Sequence, residues 1–304
     1  MKRTLSILVL VLICCSLTSC KKIKEPKIKG ELIGSDIDSE LSVERYINNY
    51  YDQKEIGFDL FDQWYKVKLY SKINLKSEEE GYNLEANIKL NGKILDAEYD
   101  FEEKGVINYT IEMNGTVPAS SKGDVTSELS LKFDIKITII EGKTYVKALM
   151  KGNVDKNKFN VKLKTNIEFL EHQLDSILGM TGSSSEMIGS ILDLTAFNEI
   201  FQLLSPETIL DDLNDSLKSD TTSIYVHKNK YTTEYRDSDD EEEYVEITSF
   251  ELDDYNYQLL SYEEYVKDSY EDEDFTHEMI TYCEIKTALF GNVKAPLDKE
   301  NYIY

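Results

Sequence analysis

Val125-Thr126-Ser127-Glu128-Leu129-Ser130-Leu131-Lys132-Phe133-Asp134-Ile135-Lys136-Ile137-Thr138-Ile139 alternates apolar and polar residues along its whole length. Side chains on a strand point to opposite faces in turn, so this stretch reads as a β-strand with one greasy and one wet side. At about 3.3 Å per residue it would extend roughly 50 Å. A sheet of such strands twists and coils, so its apolar face is expected to become concave and to need a cover.

The same alternation runs through Trp64 to Phe169, which reads as one antiparallel meander. Val67, Leu69, Ser71, Ile73 and Leu75 share a parity; so do Tyr82, Leu84, Ala86, Ile88 and Leu90. Asn91-Gly92 follows, and both residues tolerate the positive φ of a type I′ turn, so a hairpin is expected there. Leu95, Ala97, Tyr99 and Phe101 form the next run, then Ile107, Tyr109, Ile111 and Met113 after Gly105. Glu141-Gly142 turns the long strand, and Phe159 to Phe169 closes the series.

After Phe169 the period changes to about 3.6. Leu170, Leu174, Ile177 and Leu178 make a helical stripe, and Gly179 to Ser185 breaks it. Ser183 and Glu186 have capping-box spacing ahead of Met187, Ile188, Ile191, Leu192 and Leu194. Ser205-Pro206-Glu207 starts another helix, with Ile209, Leu210, Leu213 and Leu217 as its stripe. These helices, over residues 170–218, either plug the concave sheet as an ordinary core or cover it loosely and leave a cavity. Leu131, Phe133, Ile135 and Leu163 on the sheet would line such a cavity, with Leu178, Met180, Met187 and Ile191 from the helices.

Strands return over residues 222–290. A hairpin is expected around Lys228-Asn229-Lys230, a strand of mixed parity at Tyr244 to Leu252, and a last strand from Phe275 to Leu289. Ser261 and Glu264 again have capping-box spacing, which predicts a short helix through Val266.

The chain opens with a targeting pattern. Lys2 and Arg3 precede a short apolar core, and Leu17-Thr18-Ser19-Cys20 matches the bacterial lipobox. Residues 1–19 therefore read as a lipoprotein signal peptide, with Cys20 as the acylated residue of the mature protein. Acyl chains contribute about 0.8 kcal/mol per buried methylene, so a multiply acylated cysteine anchors firmly. Residues 20–38, with five lysines and Pro26, read as a flexible tether. Residues 39–304 read as a single domain that begins with a Ser39-capped helix carrying Leu41, Ile47, Tyr50 and Tyr51.

Cys283 joins Cys20 as the only other cysteine after the signal peptide, which leaves no disulfide framework and no thiolate cluster. Charge divides the chain: residues 20–169 hold 24 basic and 26 acidic groups, a net of −2, and residues 170–304 hold 8 and 32, a net of −24. That balance repels nucleic acid. The acidic run from Asp237 to Glu243 lacks the glycine and ligand spacing of an EF-hand loop, so it reads as a solvated loop. His172, His227 and His277 stand in separate elements, and no nucleophile elbow, phosphate loop or dinucleotide fingerprint occurs. No catalytic residue, cofactor or metal site is expected.

The order of elements over residues 39–290 resembles the LolA/LolB fold and the LppX/LprG-type lipoproteins. The resemblance implies an α+β half-barrel: a strongly curved antiparallel sheet with central helices over its concave face, holding acyl chains or lipids. The expectation is a lipid-anchored protein on the extracytoplasmic face of the cell membrane that binds or carries a lipid or other apolar ligand. The alternative is a surface lipoprotein with a packed core that binds a protein or polysaccharide partner. The protein partner itself, and the ligand, have no signature in the sequence.

Overall fold

The computed structural model describes residues 23–33, 37–55, 63–78, 81–96, 104–118, 126–140, 143–154, 157–165, 206–239, 241–253, 259–289 and 293–297. Twelve antiparallel strands form one open sheet: β1 (Glu31–Ile33), β2 (Gln63–Ser77), β3 (Tyr82–Asp96), β4 (Lys104–Pro118), β5 (Thr126–Ile140), β6 (Lys143–Val154), β7 (Asn157–Thr165), β8 (Thr222–His227), β9 (Lys230–Ser238), β10 (Glu242–Leu252), β11 (Leu259–Glu271) and β12 (Phe275–Thr287). Their order in space is β1-β8-β9-β10-β11-β12-β2-β3-β4-β5-β6-β7. Two helices accompany them among the described residues, α1 (Ile37–Glu55) and α2 (Pro206–Leu217). This overturns the expected α+β half-barrel with central helices. The first and last parts of the chain share a single sheet because β12 pairs with β2 from Phe275↔Ser77 to Thr287↔Tyr65. The helices expected over 170–204, and with them Leu178, Met180, Met187 and Ile191, lie outside the described residues.

The alternation builds the sheet as the sequence predicts. Residues opposite one another across a ladder share a face, and the register aligns Cys283, Leu69, Leu90, Tyr109, Ile135, Ala148 and Leu163 in one row. The rows of this inner face carry Ile73, Ala86, Ile88, Ile111, Met113, Phe133 and Met150, all nearly inaccessible. Burying a side chain of this size contributes about 1.5–3 kcal/mol relative to leaving it exposed, so the inner face is the dominant stabilising feature.

Asn91-Gly92 is not a turn. Both residues lie within β3, opposite Lys68 and Val67 on one side and Asn108 and Ile107 on the other. The parity of Leu84, Ala86, Ile88 and Leu90 continues through Gly92 to the buried Ile94. Here local turn chemistry yields to a long register in which every inner residue finds cover. The glycine instead permits close approach: a Cβ at 92 would stand 3.1 Å from both the Val106 carbonyl oxygen and Ile107 Cγ1. The β2–β3 ladder runs instead to Ser77↔Tyr82, beside Gly81 at a φ of 72°.

The second expected element to change is the helix at Ser261. Residues 259–271 are strand β11, paired with β10 and β12. Tyr262, Glu264 and Val266 share the inner face, and all three are buried there. A capping box and a strand with polar inward positions look alike over four residues, and the flanking ladders decide between them. The hairpin at Lys228-Asn229 forms as expected, with Lys228 at a φ of 58° and His227 opposite Lys230. α2 begins at Pro206 and buries Ile209, Leu210 and Leu213. α1 buries Val43, Ile47 and Tyr50 while Tyr51 stays exposed. The Tyr51 hydroxyl donates to Asp211 Oδ1 at 2.5 Å, tying α1 to α2. Tyr46 stacks at a tilt on Tyr231 of β9, so α1 sits on the β9 part of the inner face.

Residues 23–33, expected as free tether, are seated on the sheet. β1 pairs with β8 through Leu32↔Tyr225. Ile23 and Ile28 pack against Val245, Ile247 and Tyr265, a small apolar cluster on the outer face that Ile280 also joins. Glu25 Oε1 accepts from Arg236 Nη2 at 2.5 Å. Apolar residues hidden among the lysines hold this segment down.

Gly115 tests the register of β3 against β4. Its φ is 148°, and a Cβ there would lie 2.0 Å from the Asn83 carbonyl oxygen. Strained backbone of this kind costs about 1–3 kcal/mol. Gly115→Ala is expected to lower the melting temperature by about 5–10 °C, and Gly92→Ala by less than half of that. Thermal unfolding followed by circular dichroism reads both; equal losses would contradict this register.

Candidate functional site

Three surfaces of the sheet were candidates for function: the apolar inner face, a buried acidic region on β10 and β11, and the charged outer face. On the inner face the structure brings Leu131, Phe133 and Ile135 together on β5, with 2 %, 0 % and 3 % of their surface exposed. Leu163 lies on β7, the end strand of the sheet order, and is half-buried against the same core. The remaining expected lining residues fall outside the described chain, so the structure unites the sheet half of the set.

The β10–β11 region departs from the apolar pattern. Glu246 of β10 and Glu264 of β11 occupy inner-face positions, and Asp212 of α2 acts on both electrostatically. Glu264 is 5 % exposed. Burial, and then the Glu246 charge, push its carboxyl from 4.5 up to about 8, against a hydrogen bond from Tyr262 that favours ionisation. Glu246 is raised chiefly by burial while the Tyr244 hydroxyl donates to its Oε2 at 2.9 Å. Cys283, directly opposite Glu264 in the ladder, is fully buried, and burial pushes its thiol well up. It is a structural thiol rather than a nucleophile. The sequence did hold a signal for this cluster: Tyr244-x-Glu246 and Tyr262-x-Glu264 each set a tyrosine and a carboxylate on the core parity.

Among the described residues no group of three or more His, Cys, Asp or Glu is disposed to hold a metal ion. In the acidic loop, Asp239 Oδ1 accepts from the backbone amides of Glu241 and Glu242, each at 2.8 Å. Those bonds make it a turn residue, as the solvated-loop reading expects.

The outer face is divided by sign. All fifteen lysines of β2–β7 lie on it, with four carboxylates (Glu85, Glu112, Glu128 and Asp134), which makes a net of +11. On β8–β12 the outer face holds four cations and seven carboxylates, a net of −3. Ion pairs stitch the boundary, where Lys68 of β2 and Lys286 both meet Glu284 of β12. Strand parity made the wet side legible, but the register was needed to show that its lysines form one field.

No family model and no curated protein matches this chain. Among solved structures, the translocator domain of the autotransporter NalP from Neisseria meningitidis is similar over 82 % of this chain and 97 % of that chain, at 7 % identity and a TM-score of 0.17. A likeness that distant carries no conclusion about fold or function.

The Glu264 carboxyl makes a pH signature. Below its unfolded value of 4.5 the group is neutral in both states. Between 4.5 and about 8 the folded protein keeps a proton that the unfolded chain has lost, so stability falls as pH rises through that window. Glu264→Gln removes the penalty. The variant is expected to match the parent's melting temperature near pH 4.5 and to exceed it by several degrees at pH 8, with the gap growing in between; a gap independent of pH would refute the buried-acid assignment.

Proposed function

We propose that this chain is a lipid-anchored, extracytoplasmic binding protein, held to the cell membrane through acylated Cys20 and recognising its partner with the outer face of the sheet. The seating of residues 23–33 carries this reading. A chain that merely hung from a tether would have no reason to fasten the segment beside its lipobox. Here Ile23, Ile28, Glu25 and strand β1 all hold the sheet directly under the anchor. Covalent geometry allows at most about 11 Å between the Cα atoms of residues 20 and 23. The outer face then lies within reach of the surface that the acyl chains enter. The absence of any catalytic constellation in the sequence fits a binding role.

A second reading assigns an apolar cargo to the inner face. Its support is the breadth of that face, which stays apolar across β2–β7 and includes Leu131, Phe133, Ile135 and Leu163. Against it stands the sealing of β5, where Phe133 has no exposed surface. Cargo would need the face to open.

Metabolic labelling with palmitate tests the anchor. Label is expected in the parent chain and absent from Cys20→Ser, which should also leave the membrane fraction when the membranes are washed at high salt. Organic extraction of natively purified protein followed by mass spectrometry separates the two readings: a stoichiometric lipid beyond the covalent anchor would favour cargo, and none is expected.

A further inference from the structure

The lysine field of β2–β7 stands out in a chain whose formal net charge is −24. It spans six consecutive strands without an interruption in register. Its densest part is the β5–β7 side, where Lys136, Lys147 and Lys164 are directly opposite one another, as are Lys132 and Lys151. Neighbouring strands lie about 4.8 Å apart, so these like charges lie within repulsive reach of one another. The fold keeps them together nonetheless. Glu112 partners Lys132 at 2.5 Å, and the other carboxylates of the face are too few to match the rest one for one.

We propose that the outer face of β2–β7 is a docking surface for the anionic headgroups of a lipid bilayer. The proposal rests on the anchored reading and names the partner of that same face. The position of the N-terminal segment argues for a bilayer over a soluble polyanion. Ile23 and Ile28 pack on the outer-face cluster of Val245, Ile247 and Tyr265, which Ile280 of β12 also joins, and Ile280 is directly opposite Lys72 of β2. The chain leading to Cys20 thus starts on the same face as the lysine field, from a cluster centred on β10 and β11, two to three strands from β2. Acylation and a polybasic patch are the two signals that together give stable attachment, and each lysine near an anionic surface contributes about 1 kcal/mol.

The acidic second half does not cancel this attraction. Charges are screened over about 8 Å at physiological ionic strength. From β12 to β4 is three strand spacings, about 14 Å. The lysines of β4–β7 therefore act on a nearby surface largely without the carboxylates of β8–β12. The result is a molecule that meets the membrane with the lysine-bearing part of its sheet.

The test uses the mature chain, residues 20–304, carrying Cys20→Ala so that no acyl chain contributes. Co-sedimentation is measured with vesicles of phosphatidylcholine alone and of phosphatidylcholine mixed with phosphatidylglycerol. Binding is expected only to the anionic vesicles, falling as sodium chloride is raised. Reversing Lys147, Lys151 and Lys162 together to Glu is expected to weaken it about 100-fold, while Lys228→Glu, at the tip of the β8–β9 hairpin, changes it less than about twofold. Circular dichroism confirms that the triple variant folds; if it does not, Lys147→Glu alone and the salt series carry the test. Absence of binding to anionic vesicles at low salt would overturn the proposal, and so would a salt-sensitive complex between copies that forms in place of vesicle binding. Palmitate labelling is read separately, so loss of the docking surface and loss of the anchored reading are distinct results.

Discussion

The pairing of β12 with β2 is the contact on which the molecule depends. Thirteen residues of each strand face one another, and through them the acidic last part of the chain joins the lysine-bearing meander in one sheet. Apolar inner positions meet across the seam at Met279 and Ile73, and again at Ile285 and Val67. The outer positions meet as Glu284 with Lys68 and Glu278 with Asn74, whose amide donates to the carboxylate at 2.7 Å. Both faces therefore agree on the same register. A slip by one residue would set every one of these side chains on the wrong face.

From that seam the rest of the architecture follows. It gives the inner face its continuity and places the Glu264–Cys283 pair beside the apolar rows. It also sets the outer face's two charge fields edge to edge. α1 and α2 are secondary to this sheet: they cover its β8–β9 end and bring Asp212 to the buried carboxylates. The polar inner positions of β10 and β11 cost stability at neutral pH, and the breadth of the apolar face absorbs that cost.

Much of this was legible in the chain. β2, β4, β5 and β7 could be read from alternation because polar residues, lysine, asparagine and threonine prominent among them, separate their inner apolar positions. The start of α2 could be read from Ser205-Pro206-Glu207, and the β8–β9 hairpin from the break at Lys228-Asn229. What could not be read is non-local. Nothing within Phe275–Thr287 says that its partner is β2, because a strand's ladder bonds are made with whatever lies beside it. Asn91-Gly92 failed as a turn because its local preference is small beside the inner-face burial that a fifteen-residue register secures. Ser261-x-x-Glu264 failed as a cap because the same spacing suits a strand with a buried acid. The seated segment at residue 23 was masked by its lysines, which drew attention from Ile23 and Ile28. The expected helical cover was an inference from architecture; of its helices α2 is described, and it accompanies the β8–β9 end of the twelve-stranded sheet.

The spatial order of the strands also governs the sequence of events when the chain is made. About 200 residues separate Ser77 from its neighbour Phe275, and β1 must wait for β8 across a similar gap. Contacts this distant form late and slowly, after the chain has closed very large loops. A polypeptide emerging head first on the far side of a membrane would hold its β2 edge open until its last strand arrived. In the exported chain that we propose, this would leave a long interval in which an unpaired, half-apolar ribbon stands exposed, and both its yield and its need for chaperones on that side would be set by how quickly β12 can follow.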